Sequence, residues 1–552
     1  MDLSRYEPDV SNMKTILLYS DFFDKETMPD LVDEISKANM HKSISIICEL
    51  IVLNDSSLPP IQFHRYNISV PFQGVLKNMI IKPSSSIEMF SNPLFSKDKC
   101  IISLQTLLLL LKDFILYGNY DTLSQTGYSI NEEDYINIVK LQLIEAERLS
   151  AKQSSDIDLN HFIYANYHLN FRKNLASELA RMSYMMELDK SSDFLSEKQK
   201  DEYVNYYHDF EEKYGFTPIE YLTLLFWEVH IYYEDSSKTA LRYSGMWDTV
   251  ENKYRSSPHK DLIAKVIDTV SLKVSDYQSW AESSREREWD FSMFYAFPFI
   301  KDNNGSYLSI SDVTTINAFF EKLFWLIREC YPEKNKSAMA FFGRLYEHYI
   351  QKLTEASVTD EYTYIEEFEY GKDHKLSSDA YLKKGKNLLV VEAKGFSVLQ
   401  NCMIKNMNIE DNNNKLFINP VLQADRCLNE TITIKDELKD IDTAFIISVT
   451  MDSINAVPKY YEDIFNRIES QKICDKTKYY FNFSIEEYEI LMYLLENGID
   501  IFSVLESYYH KKTLSPFITF VEDRFAKLDL PSFTNEQYRA FSENMKRFLF
   551  PE

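Results

Sequence analysis

Residues 375–395 read KLSSDAYLKKGKNLLVVEAKG, and this stretch decides the C-terminal half of the chain. Two strand-like runs flank Gly385-Lys386, and a glycine at the first of two central positions suits a type II′ hairpin turn, which needs φ > 0 there. With that turn, Lys384 pairs with Asn387, Leu382 with Leu389, and Asp379 lies directly opposite Glu392. Cross-strand partners hold their Cβ atoms about 5 Å apart, and like charges at that spacing repel unless a proton or a cation lies between them. Period-two alternation puts Glu392 and Lys394 on one face and Leu389, Val391 and Ala393 on the other, ready for burial beneath a helix. Hard oxygen ligands with open water positions suit Mg²⁺ or Mn²⁺, which polarises a phosphodiester and lowers the pKa of a bound water. Lys394 is placed to orient such a water or to stabilise developing charge.

Outward from the hairpin, AMAFFGRLYEHYIQKL (338–353) has helical periodicity, and a helix is expected over 337–355 with Glu347 on the face of Ala340, Gly343 and Ile350. Such small neighbours allow a close approach to a sheet. Downstream, the asparagine-rich IEDNNNK (409–415) reads as a mobile loop. Asn419-Pro420 then opens a helix through VLQADRCL, which carries Gln423 and Cys427. TAFIISVT (443–450) has the continuous apolar character of a strand buried on both faces, and KYYFNFSIEEYEILMYLLENG (478–498) supplies a further strand and helix. FYAFPFIKDNNGSYLSIS (294–311) alternates around Asn304-Gly305, a hairpin signal, and a helix follows over roughly 312–330.

The other half reads differently. NIVKLQLIEAERL (137–149) and HFIYANYHLNFRKNLASELARMSYM (161–185) return apolar residues every three or four positions, so successive amphipathic helices are expected between about 100 and 280. Thr217-Pro218-Ile219-Glu220 is a helix start with the pattern of a capping box. Pro59-Pro60 and KPSSS (82–86) mark loops, and YNISVPF (66–72) a short strand. The sequence therefore predicts an α+β protein: a mainly helical region over 1–285, with a break near 150–156, followed by a mixed-sheet α/β domain over 286–552 with a helical C-terminal extension.

Composition narrows the function. The formal charge of −25, with an excess of acidic residues in both halves, argues against a nonspecific nucleic-acid coat. Seven lysines fall between Lys372 and Lys405, so positive charge is concentrated at the hairpin, and Lys383, Lys384 and Lys386 are the candidates for phosphate contact. The six cysteines include no CxxC pair, which suggests neither a zinc ribbon nor a disulfide framework. The apolar run 101–111 is too short to span a bilayer and no signal peptide is recognisable, so a cytoplasmic protein without membrane association is expected. A Gly-Lys-Ser/Thr phosphate loop, an HExxH motif and a nucleophile elbow are all missing, and His161 and His168, seven residues apart, suit a stacked pair better than metal ligands.

An Asp in one strand, a short turn and an apolar strand ending VVEAKG together resemble the core of the PD-(D/E)XK phosphodiesterase superfamily, over about residues 290–505. The resemblance implies a restriction-endonuclease-like domain and a Mg²⁺- or Mn²⁺-dependent nuclease. Asp379 and Glu392, with the Ala393 backbone carbonyl, would be metal ligands, and Lys394 the catalytic lysine. Glu347 would be the acidic residue that precedes the hairpin, and Gln423 the downstream glutamine of some branches, although those branches place an aromatic residue where Cys427 stands. Family habit suggests DNA as substrate, in restriction or phage defence, with the acidic N-terminal region serving as sensor, regulator or surface for a partner subunit or self-association. RNA as substrate, and a catalytically silent binding scaffold with a nuclease-like fold, are the competing readings.

Overall fold

A computed structural model describes residues 15–54, 99–153, 173–229, 247–332, 336–405, 407–459, 461–511, 516–525 and 528–550, with a few more between 76 and 95 and between 161 and 169. The expected 66–72 strand, the two N-terminal loop signals and His168 lie outside the described residues.

The expected single boundary before residue 290 is replaced by two units that interleave along the chain. One holds the described residues of 12–172 and 216–325, the other those of 173–215 and 326–552. Burial is the reason. The 294–311 hairpin forms, pairing Phe299–Lys301 with Tyr307–Ser309, but its Ile300, Leu308 and Ile310 enter the same apolar cluster as Leu107, Leu111 and Phe114 of the helix Leu104–Tyr117. It therefore stays with the helical unit. That unit also contains the helices Met40–Leu53, Glu132–Gln153 and Pro218–Val229. The last starts as its sequence predicts: the Glu220 carboxylate accepts from Thr217 N–H at 2.7 Å and the Thr217 hydroxyl from Glu220 N–H at 3.1 Å. Among the described residues, no helix is long and apolar enough to cross a membrane.

The other unit is built on a five-stranded mixed sheet: β1 Thr363–Glu366, β2 Ala380–Lys384, β3 Asn387–Lys394, β4 Thr443–Thr450 and β5 Thr477–Ser484, in the order β5-β4-β3-β2-β1. The β1–β2 and β2–β3 pairs are antiparallel, β3–β4 and β4–β5 parallel. Parallel strands covered on both faces explain the unbroken apolar run of β4, seven of whose eight residues are buried. The hairpin has the register its turn dictates: Lys384 opposite Asn387 and Leu382 opposite Leu389, with Gly385 at φ 58 and Lys386 outside the positive-φ region, the sign pattern of a type II′ turn.

Five helices matter to the site: α1 Leu175–Leu188, α2 Lys336–Ala356, α3 Asn419–Thr431, α4 Ile485–Glu496 and α5 Ser532–Leu549. A Cβ on Gly395 would lie 3.7 Å from Gly343 Cα, so α2 meets the sheet almost backbone to backbone at the end of β3. Gly395 continues the parity of Leu389, Val391 and Ala393, and that is the face α2 covers. The opposite face, bearing Glu392, receives α3 through Gln423.

The 409–415 segment is a correction. It is helical, Ile409–Asn413 followed by a wider π-turn over Asn414–Ile418 that runs directly into α3. Leu416, Phe417 and Ile418 are buried, and Asn412 accepts the Leu399 N–H at 2.9 Å. Tertiary burial thus overrides a polar composition that favours loops.

Below α2 lies a buried charge cluster. Arg181 of α1, fully buried, reaches Glu178 at 2.5 Å, Glu486 at 2.7 Å and Glu489 at 3.2 Å. Tyr349 of α2 donates to Glu489 at 2.7 Å and meets the Thr534 hydroxyl of α5 at 3.0 Å. These bonds tie 173–215 to the C-terminal unit and fix the helix that carries Glu347.

Candidate functional site

Strand register assembles the site. The β1–β2 pairing ends at Glu366 opposite Ala380, and Glu367 follows just beyond it, near enough for Asp379 to act on its charge. The β2–β3 pairing ends at Ala380 opposite Val391, and Asp379 N–H reaches that same Val391 carbonyl at 3.1 Å, so the regular register stops one residue short of Asp379, which stands at the end of the ladder near Glu392. The row continues through Ser448 of β4 and Asn482 of β5. A polar row thus crosses an otherwise apolar sheet, with Asp379 only 6% and Glu392 only 2% exposed. Polar groups at such depth need partners or a ligand.

Asp379 accepts the Ala393 N–H on Oδ2 at 2.6 Å. Glu392 Oε1 takes the Lys394 ammonium at 2.7 Å and the Gln423 amide at 2.6 Å. Glu347 comes in from α2 and binds Arg344, one helical turn before it, at 2.8 Å, while Arg344 also holds Glu202 at 2.9 Å. Glu392, Lys394 and Gln423 are joined directly and Asp379 is tied to the same strand through the Ala393 N–H, while Glu347 bonds Arg344 and is linked to Asp379 and Lys394 by charge alone.

Electrostatics reflect the crowding. Burial, then the neighbouring Asp379, pushes Glu392 up to about 7 and Glu347 up to about 8, against the opposing pull of Lys394. The same two causes lift Glu367 to about 7. Asp379 is raised by burial, which outweighs Lys394, the Ala393 N–H and Arg344. Burial alone would lower Lys394, but Glu392 and Asp379 raise it on balance, so it is a fixed cation. A carboxyl group raised in the folded state binds its proton more tightly there than in the unfolded chain, so its contribution to stability is full below the unfolded value and is lost as pH rises through the folded one. The cation-free protein is therefore expected to melt at a lower temperature at pH 8 than at pH 5. Mn²⁺ should raise the melting temperature more at pH 8, and a calorimetric pH series showing the opposite slope would contradict the crowding of these four carboxyl groups.

Carboxylate oxygens beside fixed cations, in a partly shielded row, are a donor set that fits a hard divalent ion. Among the described residues no group of three or more His, Cys, Asp and Glu is arranged to hold a metal. An ion here would rest on Asp379 and Glu392 with water completing its shell.

The three hairpin lysines are placed differently from expectation. Lys383 binds the Glu437 carbonyl at 2.7 Å and Asp440 at 2.5 Å, Lys384 binds Glu361 at 2.6 Å, and Lys386 binds Asp442 at 2.7 Å. They surround the turn, and Glu392 lies six residues along β3 from Lys386 and four from Leu388, the partner of Lys383, roughly 20 and 13 Å at the rise of a strand. The turn residues sit at the opposite end of the hairpin from Glu392, each with a carboxylate partner. Replacing all three by glutamine should leave the salt slope of nucleic-acid binding unchanged. A slope shallower by two or three would restore them as phosphate contacts.

Sequence reasoning missed Glu367 and Arg344. Nothing in EYTYIEEFEY marks its pairing with β2, and only that register reveals Glu367. Arg344 was visible as an i, i+3 partner of Glu347, a spacing that places both on one helix face.

Comparisons of the chain with protein-family models, with curated proteins and with solved structures gave no match.

Proposed function

We propose that the chain is a divalent-cation-dependent phosphodiesterase, a nuclease acting on DNA, with its centre at Asp379, Glu392 and Lys394. The observation that carries this reading is a pair of nearly buried carboxylates, Asp379 and Glu392, at the end of the β2–β3 ladder, with an ammonium 2.7 Å from Glu392. Mg²⁺ or Mn²⁺ held by Asp379 and Glu392 would polarise the phosphodiester and offset its negative charge. Ala393 N–H fixes the orientation of Asp379, and Gln423 fixes that of Glu392. Lys394, a permanent cation anchored to Glu392, is the group that would steady charge developing on the phosphate. The burial of β3 on both faces excludes bulk water from one side of the centre, which strengthens each of these interactions.

A silent scaffold is the competing reading. It is favoured by Glu392 Oε1, where Lys394 and Gln423 already occupy the positions a cation would contest. Incubation of the purified chain with plasmid, linear DNA and RNA in Mg²⁺, Mn²⁺ or EDTA separates the possibilities. Cation-dependent cleavage of DNA supports the nuclease, cleavage of RNA alone changes the substrate, and no cleavage under any condition favours the scaffold.

A further inference from the structure

With the hairpin lysines paired and remote, the site needs another group to hold an anionic substrate. We infer that Arg344 is that group, a side chain that binds a phosphate of the nucleic acid beside the Asp379–Glu392 centre. This rests on the phosphodiesterase reading and adds the residue that recognises its substrate.

Arg344 stands on α2, whose backbone touches the end of β3 through Gly343 and Gly395. Its guanidinium lies among the acidic groups of the site: it binds Glu347 directly, and its charge is felt at both Asp379 and Glu367. The side chain keeps 27% of its surface exposed, so it is open to solvent. Two carboxylates engage the guanidinium from its two sides, Glu202 at Nε and Glu347 at Nη1. Arginine carries five N–H donors in a fixed planar fork, and among the described residues no contact is made by Nη2, so that end can donate to a phosphate oxygen without breaking either ion pair. Lys394 cannot do this alone, because it is drawn to Glu392. Glu202, at the end of the short helix Lys200–Glu202, sets the direction of the fork and restrains it.

The test is fluorescence anisotropy with a fluorescein-labelled DNA duplex and a matching single strand. The full chain is titrated over a range of salt concentrations, with Ca²⁺ present to neutralise the carboxylates. Arg344→Ala should weaken binding about tenfold and lower the salt slope by about one, the signature of one lost phosphate contact. Arg344→Lys should keep the slope and recover part of the affinity, since an ammonium supplies charge without the fork. Glu202→Gln frees the guanidinium and should leave affinity equal or higher. Unchanged affinity and slope in Arg344→Ala would overturn the assignment, as would an equal loss in Glu202→Gln and Arg344→Ala, which would mean that the ion pair only supports the fold. Cleavage and binding by the unmodified chain with no effect of Arg344→Ala leave the nuclease reading standing and remove this one. Absence of DNA binding by the unmodified chain removes both.

Discussion

Asp379→Ala and Glu392→Ala should each reduce cation-dependent cleavage to about one thousandth or less, because a bound cation supplies several kcal/mol of charge stabilisation and each tenfold in rate is about 1.4 kcal/mol. Both should also lose Mn²⁺ binding in a calorimetric titration, since a single carboxylate seldom displaces the tightly held water of such an ion. Lys394→Ala should lose cleavage to a similar degree yet keep the ion, an ammonium being no ligand. Folding should survive all three. Asp379→Ala should melt slightly higher than the parent when cations are withheld, because a repulsive neighbour has gone, whereas Glu392→Ala strands the Lys394 ammonium and should melt lower. Full activity of Glu392→Ala would remove the assigned site, whereas loss of Mn²⁺ binding in Lys394→Ala would remove only the division of roles. The two results are independent, so the location of the centre and the role of its lysine are tested separately.

The largest effect on stability is expected far from the chemistry, at Arg181. Three carboxylates converge on this one fully buried guanidinium. Removing the partner of buried charges costs about 3–5 kcal/mol, because the remaining ions are left in a medium that solvates them poorly. Burial already pushes Glu178 up to about 8 despite Arg181, so part of the charge is met by a proton, and without the arginine more protons would be needed. Arg181→Ala should lower the melting temperature of the C-terminal unit by roughly 10 °C, given a few degrees per kcal/mol for a unit of this size. Arg181→Lys should restore only part of it, since an ammonium cannot address three carboxylates in the guanidinium's plane. A loss below about 1 kcal/mol would show that the glutamates are satisfied in some other way.

The local grammar of the chain was legible without a structure. A glycine at one turn position and two apolar runs set the register of β2 and β3 as far as Ala380 and Val391, because pairing counts outward from a two-residue turn without ambiguity, and Asp379 follows where that ladder ends. The same counting placed Lys383, Lys384 and Lys386 at the far end of the hairpin, so their separation from the carboxylates followed from a register already in hand. Lysine density was the wrong guide to it: a charge in sequence says nothing of the acidic partner that will meet it, and Glu361, Asp440 and Asp442 come from separate segments. The capping box at Thr217 and the unbroken strand β4 were equally local, one a bond across three residues, the other a consequence of burial on both faces.

What the tertiary structure decided has a common cause: contacts between segments distant in sequence, whose partners no local pattern names. The polar 409–415 segment became helical because Leu416, Phe417 and Ile418 had a core to enter. The 294–311 hairpin joined the helical unit because its apolar face found Leu107 and Phe114, and residues 173–215 joined the sheet because Arg181 found glutamates some 300 positions away. Glu367 entered the site only when β1 paired with β2, and Arg344 gained its bearing only from Glu202, 142 residues earlier. The sequence by itself determined which strands pair across a tight turn and which side chains share a face, since both follow from backbone geometry and period. Which apolar faces meet, and which charges those meetings bring together, was decided by the folded chain as a whole, because burial is nondirectional and selects partners by shape and by what remains unpaired.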